Sequence, residues 1–132
     1  MSKNLSSNGK GKIKFYGYKK CSNCIKAEKL LQNAGVVYEF TDITQNPPSP
    51  DELAMVAENA GVMLNKLFNT SGIQYRELKI KERLSELTKL EILSLLANNG
   101  RLIKRPLITD GEKATVGFKE DQLSKVWCRA ET

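Results

Sequence analysis

Short apolar runs flank one helical pattern in the first third of the chain. IKFYG, residues 13–17, is β-branched and aromatic and stops at glycine, which predicts a strand. From Ser22 onward apolar residues recur at helical spacing, with lysines and Glu28 opposite. Those apolar residues are Cys24, Ala27, Leu30, Leu31 and Ala34. Gly35 is a natural left-handed stop, and VVYEFTD, residues 36–42, predicts a second strand. This order favours a right-handed parallel unit.

In the middle of the chain, two capping residues are each followed three positions later by a glutamate, which marks two helix starts. The first also has a proline at its first helical position, and a leucine-rich run follows the second. The residues that carry these signals are Ser49, Pro50 and Glu52 for the first helix, and Thr88, Leu90, Glu91, Leu93 and Leu96 for the second. Gly61 and about Asn98 are the expected ends. Residues 64–68 and 73–80 predict shorter helical pieces.

The last third of the chain predicts a hairpin and a closing helix. In PLITDGEKATVGF, residues 106–118, two β-type runs join around Asp110-Gly111, a pair that favours a tight turn. Residues 119–128 then predict a helix, whose inward side chains are Leu123, Val126 and Trp127. The predicted order is therefore β-α-β, several helices, then β-β-α.

Composition indicates one globular domain. The 132 residues are 40% hydrophobic and 27% charged, a balance typical of globular proteins. No apolar run approaches the roughly 20 residues that a membrane-spanning helix requires. The polar N-terminus lacks the apolar stretch of a secretion signal. We therefore expect a cytoplasmic monomer without membrane contact, with a flexible leader over residues 1–12 and one α/β domain over residues 13–132.

The net charge of +6 raises the question of nucleic-acid binding. Lys3, Lys10 and Lys12, all in the expected leader, supply half of this excess. The other lysines are dispersed among acidic residues, without a basic helix or an aromatic-basic surface on which bases could stack. The pattern predicts no direct nucleic-acid binding, while attraction for small anions remains.

Two cysteines, Cys21 and Cys24, lie where the first predicted helix begins. A structural zinc site needs about four nitrogen or sulfur ligands, and the chain has no histidine and only Cys128 as a third thiol. We therefore expect no metal. A structural disulfide is disfavoured in a reducing cytoplasm. A C-x-x-C pair beside a strand–helix–strand pattern is typical of redox chemistry.

Cys21 is the predicted nucleophile of this pair. The N–H groups and dipole of the first helical turn favour negative charge, and Lys19 and Lys20 directly precede the thiol. No histidine can act as its base, so only the electrostatic setting can deprotonate it. Such settings lower a cysteine pKa to about 3.5–7.5. Cys24 lies on the apolar face, where it is either a resolving thiol or a small core residue.

Four segments together resemble the glutaredoxin-linked arsenate reductase family, which includes the ArsC reductases and Spx-like regulators. They follow the family's order and spacing from about Ile13 to Trp127, and the branch they match is the arsenate-reductase-like one. The segments are YGYKKCSNCIKAEKLL, FNTSGIQYREL, LLANNGRLIKRPLI and GEKATVGFKED. The resemblance implies an α/β, thioredoxin-like fold, βαβ plus ββα, with a helical insertion.

The same resemblance implies site residues. Cys21 matches the cysteine that attacks arsenate, and Arg76 and Arg105 match two oxyanion-binding arginines. Composition alone would leave Arg76 as solvated surface. Pro106 is similar to the proline, often in a cis peptide bond, that faces the active thiol in thioredoxin-like folds. Lys119 stands near a further family arginine, as an auxiliary cation without the bidentate fork of a guanidinium.

Three functions remain open for the thiol pair. The first is arsenate reduction at Cys21, with no bound cofactor and with recycling by glutathione, glutaredoxin or Cys24. The second is an Spx-like redox-sensing regulator that binds RNA polymerase and switches through a disulfide. The second cysteine favours this regulator because the founding reductases lack it, whereas the YREL segment favours the enzyme. The third is a general dithiol oxidoreductase.

Overall fold

A computed structural model of the protein describes residues 12–128. The predicted leader, apart from Lys12, lies outside this part. Within it the chain forms four strands: β1 (Lys14–Gly17), β2 (Glu39–Asp42), β3 (Leu107–Thr109) and β4 (Ala114–Val116). The six α-helices are α1 (Ser22–Asn33), α2 (Pro50–Ala60), α3 (Ile73–Glu77), α4 (Ile80–Arg83), α5 (Lys89–Ala97) and α6 (Glu120–Trp127). Short 3₁₀ helices span Leu64–Leu67, Leu84–Glu86 and Gly100–Leu102.

The four strands form one mixed sheet in the order β2-β1-β3-β4. β1 pairs in parallel with β2 and antiparallel with β3, and β3 pairs antiparallel with β4. The segment from α2 to the last 3₁₀ helix is inserted between β2 and β3. This is a thioredoxin-like fold with a helical insertion, and the predicted fold class is confirmed.

Both predicted helix starts are confirmed, with one difference. The side chain of Thr88 accepts from the N–H of Glu91 at 3.1 Å, and the Glu91 carboxylate accepts from the N–H of Thr88 at 2.8 Å. Ser49 likewise accepts from the N–H of Glu52 at 3.1 Å. The Glu52 carboxylate, however, accepts from the hydroxyl of Tyr16 at 2.7 Å. The first cap therefore ties α2 to β1.

The predicted tight turn between β3 and β4 is confirmed. The N–H of Asp110 donates to the carbonyl of Lys113 at 3.2 Å, and Gly111, with a φ of 96°, lies at the tip with Glu112. The carboxylate of Asp110 accepts from the N–H groups of Glu112 and Lys113, at 2.9 and 2.8 Å. Backbone and side-chain hydrogen bonds of Asp110 therefore close the hairpin.

Helix α5 buries only part of its leucine-rich run. Ile92, Leu93 and Leu96 are buried, whereas Leu90 is 78% exposed. The buried side chains pack in one cluster with Leu53 and Val56 of α2, and Leu90 lies outside it.

The core lies on both faces of the sheet. Tyr16 and Leu107 face a larger cluster beneath the helical insertion. The alternate residues Phe15 and Ile108 face a smaller cluster beneath α1 and α6. Cys24 is fully buried in the smaller cluster. Because apolar packing holds α1 on the sheet in this way, the start of that helix has a fixed place at the end of β1.

Gly100 lies in close contact with the chain just after β2. A Cβ atom at residue 100 would lie 1.8 Å from the carbonyl oxygen of Ile43. The N–H of Ile43 in turn donates to the carbonyl of Gly17 at 2.9 Å, at the end of β1. This contact holds the segment that leads to Arg105 against the sheet end that precedes Cys21.

We predict that Gly100→Ala lowers the free energy of unfolding by about 3 kcal/mol or more, since a backbone oxygen blocks the new methyl group. Gly35→Ala is the control, because a Cβ there meets no atom within 4 Å and suffers only from its φ of 73°. That strain costs about 1–2 kcal/mol. Urea unfolding measures both variants. Equal losses in the two would show that the contact at residue 100 is not tight.

Candidate active site

Cys21 occupies the position directly before helix α1. Its backbone is extended, with a φ of −86° and a ψ of 123°. A turn closed from the Cys21 N–H to the Tyr18 carbonyl, at 3.1 Å, links it to the end of β1. Its own carbonyl accepts the N–H of Ile25 at 2.9 Å. The thiol is half-buried, at a helix start where backbone N–H groups lack helical partners.

The surroundings of Cys21 favour its thiolate. Burial acts to raise the pKa of the Cys21 thiol, but three neighbouring groups outweigh it. These are the backbone N–H of Cys24, the thiol of Cys24, and the guanidinium of Arg105, which acts by hydrogen bonding and by charge. The net pKa lies below the ordinary value. The chain has no histidine, so these groups, and not an imidazole, favour the thiolate.

Cys24 has the opposite setting, one turn further along α1. Burial and the neighbouring Cys21 raise the pKa of Cys24 to about 12, although the N–H of Tyr18 opposes this. That N–H donates to the Cys24 sulfur at 3.4 Å. Two adjacent groups whose pKa values are pushed apart divide their roles into base and acid. Of the two thiols, Cys21 is the more acidic, and Cys24 donates a hydrogen bond to it.

Arg105 reaches Cys21 from the start of β3. The Arg105–Pro106 peptide bond is cis, and Pro106 is buried. The carbonyl of Pro106 accepts from the N–H of Gly117 at 2.9 Å. The guanidinium carbon of Arg105 lies 5.9 Å from the ring centre of Tyr18. This distance is within the range of about 6 Å over which cation–π attraction acts. Arg105 is thereby held between the tyrosine ring and the Cys21 thiol.

Two other cations expected at the site are exposed. Arg76, on α3, is exposed and donates to the carbonyl of Ser71 at 3.4 Å. Lys119 is exposed directly before α6. Neither Arg76 nor Lys119 is among the groups that shift the pKa of Cys21. Their contact with a bound anion stays a prediction.

Arg101 is a residue that the sequence reasoning did not select. It lines a cleft of about 430 Å³ together with Arg105. The other lining residues come from or near α3: Asn69, Gly72, Ile73, Gln74 and Glu77. The available signal was the spacing of four between two arginines in RLIKR, next to a glycine. A larger apolar groove of about 540 Å³ lies between α2 and α5, and none of the predicted site residues line it.

The third cysteine, Cys128, ends α6 and packs against the smaller core cluster. Burial raises the pKa of its thiol, so it is less reactive than Cys21 at neutral pH. Over residues 12–128, no three cysteine, aspartate or glutamate side chains are grouped as metal ligands. No helix in this part is long and apolar enough to cross a membrane.

Comparison with known proteins gives a consistent set of relatives. YusI of Bacillus subtilis, an uncharacterised protein, is 51% identical over 115 residues, which cover 87% of this chain and 98% of YusI. The crystal structure of a possible arsenate reductase from Streptococcus mutans is 38% identical, with a TM-score of 0.78. That match covers 86% of this chain and 98% of the other. The global transcriptional regulator Spx of Streptococcus mutans is 29% identical over 103 residues, 78% of this chain and 74% of Spx.

The profile of the ArsC family matches residues 16–126. This span runs from the end of β1 to the end of α6 and includes Cys21, Cys24 and Arg105. With most of the chain matched, and with its fold and thiol site as described, the protein belongs to the ArsC family.

Proposed function

We propose that this protein is a thiol-dependent oxidoreductase that reduces arsenate, or a similar oxyanion, through the thiolate of Cys21. The observation that carries the proposal is the lowered pKa of Cys21 beside Arg105, in a chain without histidine. A reactive thiolate with a cation next to it can bind an anion and attack it from one place. Arsenate-reductase-like structural relatives support the same chemistry.

The reaction begins with nucleophilic attack on arsenic. The Cys21 sulfur forms a bond to As(V), and one arsenate oxygen leaves as hydroxide or water. A second thiol, from glutathione or glutaredoxin, then attacks the Cys21 sulfur. The sulfur–arsenic bond breaks with its electron pair on arsenic, which releases arsenite as As(III) and leaves a mixed disulfide on Cys21. One more thiol regenerates the enzyme, so two thiols are oxidised for each arsenate reduced.

Cys24 offers a second route out of the mixed disulfide. Its attack would form a Cys21–Cys24 disulfide and release the reductant as a thiol. Two external thiols would then reduce this disulfide and regenerate both cysteines, so the total of two thiols oxidised for each arsenate is unchanged. Part of the rise in the pKa of Cys24 comes from the neighbouring Cys21. That part disappears once Cys21 is held in a disulfide and carries no charge. Before that, while Cys21 is free, burial and the charge of Cys21 together keep Cys24 protonated.

Arg105 is the cation best placed to bind the oxyanion. Each charge-assisted hydrogen bond to the anion contributes about 1.5–3 kcal/mol, and a guanidinium can make two at once. Arg76 would join the site by releasing the carbonyl of Ser71. Lys119 would act as a single point charge. A reducing compartment such as the cytoplasm would keep these thiols active.

Spx relatives and the paired cysteines favour one second candidate, a redox-sensing regulator that binds RNA polymerase. In that case oxidation to a Cys21–Cys24 disulfide would change a binding surface. Affinity purification of the tagged protein from an oxidised and a reduced lysate distinguishes the two functions. RNA polymerase retained in a redox-dependent manner, without arsenate turnover, would support the regulator. Insulin reduction without either result would support a general dithiol oxidoreductase.

We predict that the alkylation of Cys21 by iodoacetamide has its pH midpoint below about 8.5, the ordinary value for cysteine. The reactive thiolate is lost only as the pH falls through this lowered pKa. Arg105→Gln should move the midpoint up, because it removes a group that stabilises the thiolate. The control is Lys26→Gln, the same charge change at an exposed position on α1, which should not move it. Intact-mass spectrometry in a Cys128→Ser background measures the rates, and a wild-type midpoint at or above 8.5 contradicts the assignment.

We predict that arsenate and the unreactive anion sulfate both slow the alkylation of Cys21, since they occupy the place of the reagent. Arg105→Gln should weaken this protection about 10- to 150-fold in anion concentration, the equivalent of one charge-assisted hydrogen bond. Arsenate-dependent oxidation of glutathione should vanish in Cys21→Ser and persist in Cys128→Ser. If Cys21→Ser still oxidises glutathione in response to arsenate, the proposed reaction is wrong.

A further inference from the structure

The cleft beside Arg105 is larger than a single tetrahedral oxyanion requires. Its volume of about 430 Å³ falls in the range of about 300–1,000 Å³ found for pockets that hold small organic ligands. It lies between the segment that carries Arg101 and Arg105 and the residues around α3. Arg105 belongs both to this cleft and to the surroundings of Cys21. A molecule in the cleft therefore lies next to the reactive sulfur.

Arg101 adds a second positive charge to the cleft, and its backbone is fixed. Its N–H donates to the side chain of Asn99 at 3.2 Å, and the preceding residue, Gly100, is in contact with the backbone of Ile43. The side chain is exposed. In the part of the chain that the structure describes, Arg101 and Arg105 form no ion pair with a carboxylate. No carboxylate of the described residues therefore competes with a ligand for either guanidinium.

The carboxylate whose pKa responds to Arg101 already has other partners. Hydrogen bonds from Thr44, and then the charge of Arg101, lower the pKa of Asp42. One oxygen of Asp42 accepts from the N–H and the hydroxyl of Thr44, at 2.9 and 2.6 Å. Arg101 is thus close enough to influence Asp42 without a direct bond to it. Its donors remain free for an external acid.

Gln74 lies on the opposite wall of the cleft. Its amide oxygen is buried, and no donor among residues 12–128 reaches it. A buried acceptor without a partner costs free energy.

We propose that Arg101 is the residue that selects the thiol or disulfide with which Cys21 exchanges, by recognising a carboxylate on that compound in the cleft. The proposal rests on the role of Cys21 as nucleophile and names the residue that determines specificity for its sulfur-containing partner. For a disulfide, the Cys21 thiolate attacks one sulfur, the ligand's sulfur–sulfur bond breaks, and a mixed disulfide forms. The other half leaves as a thiolate that carries the displaced electron pair.

The test compares two chromogenic disulfides in a Cys128→Ser background. 5,5′-Dithiobis(2-nitrobenzoate) carries carboxylates, and 4,4′-dithiodipyridine carries none. The first phase of thiol release measures attack by Cys21 on each. Arg101→Gln should slow the carboxylate probe about tenfold, the equivalent of one charge-assisted hydrogen bond. It should change the rate of reaction with the uncharged probe by less than twofold. Mixed-disulfide formation from glutathione disulfide, followed by mass spectrometry, should show the same dependence on Arg101.

Two controls separate a binding site from general electrostatic attraction. Lys26→Gln removes one charge from an exposed position on α1 and should change neither rate. Arg101→Lys keeps the charge without the fork, and should give a carboxylate-probe rate between wild type and Arg101→Gln. If thermal melting shows that Arg101→Gln is poorly folded, Arg101→Lys replaces it in the comparison of the two probes.

Three results would overturn the proposal. An unchanged ratio of the two probe rates in Arg101→Gln would remove Arg101 as the recognition residue. An equal effect of Lys26→Gln would reduce the preference to net charge. Both of these would leave Cys21 as a nucleophile and the proposed function intact. Failure of both probes to react with the Cys128→Ser protein would instead remove the nucleophile, and the proposed function with it.

Discussion

The contact between Cys21 and its surroundings is the interaction on which the chemistry of this protein depends. Burial alone would keep the thiol protonated, and the hydrogen bonds from Cys24 and the charge of Arg105 reverse that preference. No imidazole is present to accept a proton in their place. Fixed donors favour the thiolate without the help of a substrate. In the proposed function, the guanidinium that stabilises the thiolate would also bind the anion.

The fold serves this interaction by fixing two segments that are far apart in the sequence. Apolar packing of Cys24 and Ala27 in the smaller core cluster holds α1 on the sheet, so that Cys21 lies at the end of β1. The second segment is held by the contact of Gly100 with Ile43, and by the hydrogen bond from the N–H of Gly117, just after β4, to the Pro106 carbonyl. The helical insertion covers the other face of the sheet and supplies the wall of the cleft opposite Arg101 and Arg105.

The two cysteines share one helical turn but differ in burial. This difference is compatible with both candidate functions, the enzyme and the regulator. Cys24 is sealed in the core with a pKa of about 12, so it is unreactive while Cys21 is free. Oxidation of Cys21 removes the neighbouring negative charge and makes Cys24 more acidic. The same pair can therefore resolve an enzymatic intermediate or close a regulatory disulfide.

The sequence by itself determined the features that depend on neighbouring residues. These include the helix start after Cys21, the cap at Thr88, the hairpin and the order of elements, while the thioredoxin-like fold followed from the resemblance to a family. Only the tertiary structure decided that Glu52 bonds to Tyr16, that Leu90 is exposed and that Arg101 shares a cleft with Arg105. Local signals suffice where hydrogen bonds and spacing act within one or two turns. The cleft arises where chain segments distant in sequence pack together, and no short-range pattern encodes which side chains meet there.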